Sequence, residues 1–152
     1  MTTHTATASG AVARAAARNL PTMYPSVVYD DAPAAIDWLC RAFGFERHLV
    51  VPGPNNTVAH AELSIGPAMI MLGSSSAEPP RKSPQTLGAT TGGIYVVVDD
   101  VDAHAARARA AGAVIVRAPK DEEYGGRLYT CRDLEGHDWS FGTYLPTDAE
   151  QR

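Results

Sequence analysis

The chain has 152 residues, 45% of them hydrophobic and 20% charged, and its 13 Lys and Arg against 17 Asp and Glu leave a formal net charge of −4. That length suits one domain around one core. The weak acidity argues against a nucleic-acid partner, whose phosphates demand a basic face, and against an anionic membrane surface. No apolar run approaches the roughly 18 residues needed to cross a bilayer.

Residues 1–20 are rich in Ala and Thr, carry Arg14 and Arg18, and contain no acid; they read as an N-terminal tail or a short helix over 10–19. The two arginines interrupt any secretory apolar stretch. Cys40 and Cys131 have no CxxC spacing and no histidine grouped with them, so reduced thiols in a cytoplasmic protein are expected, and no zinc site.

Beyond residue 20 the chain is written twice. Val27-Val28-Tyr29-Asp30-Asp31 answers Val96-Val97-Val98-Asp99-Asp100, each a strand-like run ending in an acidic pair. A helix follows each. In the first, Ile36, Leu39, Cys40 and Phe43 share one face, Asp31 is placed as N-cap and Pro33 sits in the first turn. In the second, Val101, Ala105 and Ala108 trace a smaller-residue stripe. Gly44 and Gly112 end the helices. Strands are expected at 45–51, 57–65 and 68–72, then at 113–117, 127–132 and 138–144, with turns at 52–56 and 119–126 and with Gly66 and Gly136 before the fourth strands. The organisation is thus one domain over 21–146: a βαβββ unit at about 22–73, a surface linker at 74–92 expected to be mobile at its centre, a second unit at about 93–145, and a tail at 147–152.

Alternation sorts the strand residues onto two faces. Ala59, Ala61, Leu63, Met69 and Met71, with Tyr129, Cys131, Trp139 and Phe141, are expected under the helices. Val58, Ile70 and Leu72 are expected on the opposite face. So are Tyr24, Ser26, His60, Glu62, Tyr95, Thr130, Arg132 and Ser140, and this mixture of polar handles and apolar surface suits a ligand-binding concavity. His60-x-Glu62 places an imidazole and a carboxylate on one side of a strand, as ligand hydrogen-bonders or an acid–base pair. Equivalent positions in the two units suggest a Glu62–Arg132 ion pair. His48 and His104 read as surface residues, His4 as tail, and His137 as structural or exposed. Trp38 and Trp139 read as core. The loop 121–127 is either a lid or a solvated turn.

The tandem pattern resembles the glyoxalase / bleomycin-resistance / extradiol-dioxygenase superfamily, the vicinal oxygen chelate fold. The likeness is carried by Tyr29-Asp30-Asp31 with Ala34-Ala35-Ile36-Asp37-Trp38, Ala42-Phe43-Gly44-Phe45, His60-Ala61-Glu62-Leu63-Ser64-Ile65-Gly66, Val98-Asp99-Asp100-Val101-Asp102 and the run from Arg132 through Asp133-Leu134-Glu135-Gly136-His137 to Phe141. It spans residues 21–144. The resemblance implies an α+β fold in which the repeats form a mixed-sheet half-barrel around a concave pocket, commonly as a homodimer. In catalytic members it further implies a divalent metal held by His, Gln or Glu from the first and fourth strand of each unit. Aligned on the acidic pairs and turn glycines, those places hold Tyr24 (or Ser26), Ile70, Gly93 and Ser140, so no metal or other cofactor is expected. Two functions stand side by side. One is a non-catalytic binder that sequesters a small molecule. The other is a glyoxalase-type lyase or isomerase, or a dioxygenase, with a relocated metal or with His60 and Glu62 as catalytic acid and base.

Overall fold

The computed structural model describes residues 10–146; the first nine residues of the expected tail or helix at 1–20, His4 among them, and the expected tail at 147–152 lie outside the described residues. Helix α1 (Ala11–Ala17) comes first and has no buried residue. The first unit follows as β1 (Ser26–Tyr29), α2 (Ala32–Phe43), β2 (Glu46–Pro52), β3 (Val58–Ile65) and β4 (Ala68–Ser74). A short helix, α3 (Pro84–Leu87), lies in the linker. The second unit is β5 (Gly93–Val97), α4 (Val101–Ala110), β6 (Val114–Asp121), β7 (Arg127–Arg132) and β8 (Asp138–Gly142). Each unit makes one four-stranded sheet, ordered β1-β4-β3-β2 and β5-β8-β7-β6. In both, the first strand runs parallel to the fourth and the remaining pairs are antiparallel. The result is an α+β fold of tandem βαβββ units whose sheets do not close on each other.

Local chemistry explains the boundaries. The Asp31 carboxylate accepts the Ala34 N–H at 3.1 Å and opens α2, and Asp100 does the same for α4 through Ala103 at 3.0 Å. Gly44 ends α2 with φ +85°, a conformation that a side chain would strain. Helix α2 turns Ile36, Leu39 and Phe43 inward, and the small stripe Val101, Ala105 and Ala108 of α4 packs beside it. One core therefore serves both units. The Phe43 ring lies 5.2 Å from that of Trp139 and 4.7 Å from that of Phe141, so the helix of unit one packs on the fourth strand of unit two. Arg107 of α4 caps the end of α2, donating from Nε to the Arg41 carbonyl at 2.8 Å and from Nη2 to that of Cys40 at 3.2 Å. Both indoles are core: Trp38 donates to the Ala111 carbonyl and Trp139 to the Asp133 carboxylate.

Two face assignments need correction. Ile70 and Leu72, not Met69 and Met71, point into the core. The hairpin turn explains it. Ile65 pairs directly with Ala68 across a two-residue turn, whereas Arg132 pairs with Asp138 across five. The short turn carries the inward face from odd to even numbers, and the long one preserves it. Likewise Val58 is buried and Ala59 exposed, because the β2–β3 register shifts between Val51 and Pro52 and the extra residue is absorbed there. Strand β6 also runs on to Asp121, through part of the expected turn.

The linker is tied down along its length. Ser75 N–H donates to the Tyr29 carbonyl, and Ser76 and Arg81 exchange two backbone bonds. Ser83 is fully buried and donates to Glu135 at 2.6 Å. Gln85 and Thr86 both bond the Asp30 carboxylate.

Candidate functional site

Each sheet has one face on the shared core and one turned away from it. On the first sheet, strand pairing aligns Ser26 with Met71, Met71 with Glu62, and Glu62 with Leu49. Ser64, Met69, His60 and Val28 complete that open face. On the second sheet Tyr95 pairs with Ser140, Ser140 with Thr130, and Thr130 with Arg117, while Gly93, Asp138 and Arg132 form the next row. Within one chain seven of the eight residues singled out from the sequence therefore fall into two groups. Ser26, His60 and Glu62 share one open face, and Tyr95, Thr130, Arg132 and Ser140 share the other. Tyr24 precedes β1 and donates its hydroxyl to the Pro21 carbonyl at 2.7 Å.

His60 Nε2 lies 3.1 Å from Glu62 Oε1. The expected Glu62–Arg132 ion pair is not formed: Arg132 Nε donates to Asp138 Oδ1 at 3.1 Å, its neighbour across β7 and β8. Glu62 is approached instead by a second imidazole, His48 Nε2, at 3.7 Å from Oε2. His48 reaches it because the β2–β3 register also shifts between Arg47 and Leu49. Its side chain is 61% exposed, as the sequence suggested, but it faces the site. The two rings flank opposite carboxylate oxygens, and among the described residues no three His, Cys, Asp or Glu groups converge on a point able to hold a metal ion.

On the second face Thr130 Oγ1 and Ser140 Oγ lie 2.9 Å apart, and the Tyr95 hydroxyl donates to the Tyr144 carbonyl at 2.7 Å. Burial raises the Tyr95 pKa, so the hydroxyl stays protonated and able to donate. The loop beyond β6 is fastened by Arg127, which donates to both carboxylate oxygens of Asp102 and to Asp121, and by the Arg117–Glu122 pair.

His104 is not a free surface residue. Its Nε2 bonds the Phe43 carbonyl at 3.0 Å and therefore carries the proton, which leaves Nδ1 to accept from the Tyr129 hydroxyl at 2.6 Å. Burial lowers its pKa. Cys131, on the buried face of β7, has its thiol pushed up to about 12 by burial, which holds it in the protonated, poorly nucleophilic form.

The largest feature that sequence reasoning missed is a pair of buried carboxylates in the β7–β8 turn. Asp133 accepts from the Tyr29 hydroxyl at 2.6 Å, from Trp139 Nε1 at 2.9 Å, and from the backbone of Glu135 and His137. Glu135 accepts from the backbone N–H groups of Asp30 and Asp31 and from Ser83. His137 Nε2 donates to the Val28 carbonyl at 2.7 Å and sets its ring edge-on to Tyr29, a structural role. Acidic residues in a loop ordinarily read as solvated, and nothing in the spacing of Asp133 and Glu135 marks them as buried.

Residues 22–141 match the Glyoxalase/Bleomycin resistance protein/Dioxygenase superfamily. An uncharacterized protein of Mycobacterium tuberculosis strain H37Rv is 38% identical over 125 residues, covering 80% of this chain and 74% of that one. TioX from Micromonospora sp. ML1 is also 38% identical, with a TM-score of 0.65 over 80% of this chain and 94% of its own. The fosfomycin resistance protein FosX from Mesorhizobium loti shares the fold at 17% identity, with a TM-score of 0.59 over 86% of this chain and 97% of that one. Repeat topology, strand order and these matches agree: the chain belongs to the Glyoxalase/Bleomycin resistance protein/Dioxygenase superfamily.

Proposed function

We propose that this protein binds a small organic molecule between paired open faces of a homodimer and sequesters it without turning it over. The observation that carries the reading is the residue set at the centre of those faces. The rows joining first and fourth strands are Ser26–Met71 and Tyr95–Ser140, two hydroxyls beside a thioether and a phenol. These are poor donors for a divalent ion, and Ile70 is withdrawn into the core. Asp138 is the one carboxylate on a fourth-strand open face, and it is held by Arg132 and Thr90. A set of this kind fits contact with a mixed polar and apolar ligand better than it fits a resident metal.

The dimer rests on what a single chain leaves uncovered. Leu49, Val50 and Val51 of β2 and Val114 and Val116 of β6 are all exposed, on the outer edge strands of the two sheets. Laying the first sheet of one copy over the second sheet of another shields this surface and encloses two equivalent pockets. The imidazole–carboxylate group of one face then meets the cationic and hydroxyl groups of the other. The reduced pair Cys40 and Cys131 suits a cytoplasmic setting.

The 3.1 Å His60–Glu62 contact favours one other reading, acid–base catalysis of the glyoxalase type, with Arg132 on the facing sheet of the second copy as the stabilising cation. One experiment separates the two. Metal content and ligand binding are measured on untagged protein before and after chelator treatment. Sequestration expects substoichiometric metal and ligand binding that survives the chelator. One tightly held ion per chain overturns it. Turnover lost in His60→Ala but present in the parent establishes the enzyme instead. A concentration-independent monomer in sedimentation defeats the dimer.

A further inference from the structure

We propose that the cleft between β1 and β5 is a binding site for a small oxyanion, a carboxylate or phosphoryl group on a metabolite. These two strands are the inner edges of the sheets, and no hydrogen-bonded ladder joins them. The space between them is ≈ 400 Å³, enough for a small ligand. Its walls hold the hydroxyls of Ser26, Thr90 and Thr91, the His137 ring and the Lys82 side chain, with the backbone of Gly92 and Gly93 at the start of β5.

The charge distribution selects an anion. Arg81 Nη2 reaches Ser26 Oγ at 3.4 Å, which brings a second cation to the wall beside Lys82. Among the described residues neither Arg81 nor Lys82 is in an ion pair, although the chain as a whole carries a net −4. Arg47, Arg117, Arg127 and Arg132, by contrast, are each paired with a carboxylate. The one acid in the wall, Asp138, has both oxygens engaged, by Arg132 and by Thr90. Two cations outside any ion pair, beside the Ser26 and Thr91 hydroxyls, offer the charge-assisted and neutral donors that an oxyanion accepts, while the Thr90 hydroxyl is spent on Asp138. The linker keeps Lys82 at this wall, because the buried Ser83 next to it is fixed to Glu135. Ser26, Gly93 and Asp138 also belong to the open faces, so the cleft adjoins their inner rims, but every residue that lines it comes from one chain.

The test is a titration of the ¹⁵N-labelled full chain with inorganic phosphate and, in a separate arm, with succinate, both at constant ionic strength. Saturable shifts at Lys82, Thr90, Thr91 and Gly92 are expected, and the tighter of the two anions identifies the phosphoryl or the carboxylate source. Arg81→Ala/Lys82→Ala should weaken binding by about tenfold or more. Arg41→Ala/Arg109→Ala removes the same net charge from exposed positions elsewhere and should leave the affinity unchanged. Both wall cations are exposed, so the first double variant should keep the parent's thermal midpoint; if it unfolds, Thr91→Val carries the same test. Shifts that never saturate, that scatter over remote surface amides, or that persist in the wall variants overturn the proposal.

Discussion

Glu135 and Asp30 lie 105 residues apart in the chain, yet Glu135 Oε1 accepts the Asp30 backbone N–H at 2.6 Å. The other carboxylate oxygen takes the Asp31 N–H at 2.9 Å, and Ser83 donates a third bond from the linker. Hydrogen bonds to a charged acceptor contribute about 1.5–3 kcal/mol each and are not additive. Glu135→Ala leaves three donors facing an apolar side chain and should cost at least about 3 kcal/mol in urea unfolding. Glu135→Gln keeps one acceptor oxygen but turns an NH₂ toward the donors, so it should fall between. An alanine variant with the parent's urea midpoint would contradict the role given to this carboxylate.

His104 makes stability depend on pH. Its folded-state pKa lies below the ordinary 6.5, chiefly through burial. The unfolded chain therefore binds the proton more readily, and unfolding takes up a proton between the folded value and 6.5. The contribution is fully present above pH 6.5 and is lost as the pH falls from there through the folded value. The parent should lose more stability between pH 7.5 and 5 than His104→Asn does, once each is referred to its own value at pH 7.5. Parallel curves for the two proteins would count against it.

Gly142 is confined on the second open face. A Cβ there would lie 2.8 Å from the Arg127 carbonyl oxygen and 2.9 Å from the Tyr95 hydroxyl. The carbonyl belongs to the β7 ladder and cannot withdraw, so Gly142→Ala should destabilise by about 1–3 kcal/mol. It should also free the Tyr95 hydroxyl from Tyr144, which a change in tyrosine fluorescence or absorbance would report. A variant with neither effect would refute the close packing.

Arg107→Ala removes the cation and donors from the end of α2. Exposed charges at a helix terminus contribute about 0.3–1 kcal/mol, and a loss of that size should appear in thermal unfolding. Arg107→Lys keeps the charge but not the two-pronged bond, and should recover only part of it.

The topology was legible because each of its signals is local: acidic caps before the helices, glycines after them, and β-branched runs between. The faces of β7, β8 and β3 from His60 onward followed from alternation, since polar and apolar residues interleave there. In β4 the run Ala68-Met69-Ile70-Met71-Leu72 is apolar at both parities, so alternation carries no information, and counting from the glycine shared with unit two assumed a turn length that differs. The site was half legible. His60 and Glu62 lie where the strand period puts them, but His48 joins them through a bulge that nothing in its neighbours announces. His104 was hidden because an α4 built on alanine leaves room for a ring to turn inward.

The joint between the units is made by unlike contributions. The second unit supplies the carboxylates of Asp133 and Glu135 and the imidazole of His137, while the first, apart from Tyr29, offers them only main chain: two N–H groups and the Val28 carbonyl. Main-chain groups are indifferent to side-chain identity. Residue 30 is therefore open to nearly any replacement as far as this joint is concerned, and proline is the exception because it has no hydrogen to give. The short run from 133 to 137 has no such latitude. At this polar joint, sequence drift in the two halves of the duplication is thus constrained unequally, with its side-chain requirements written almost wholly into the later half.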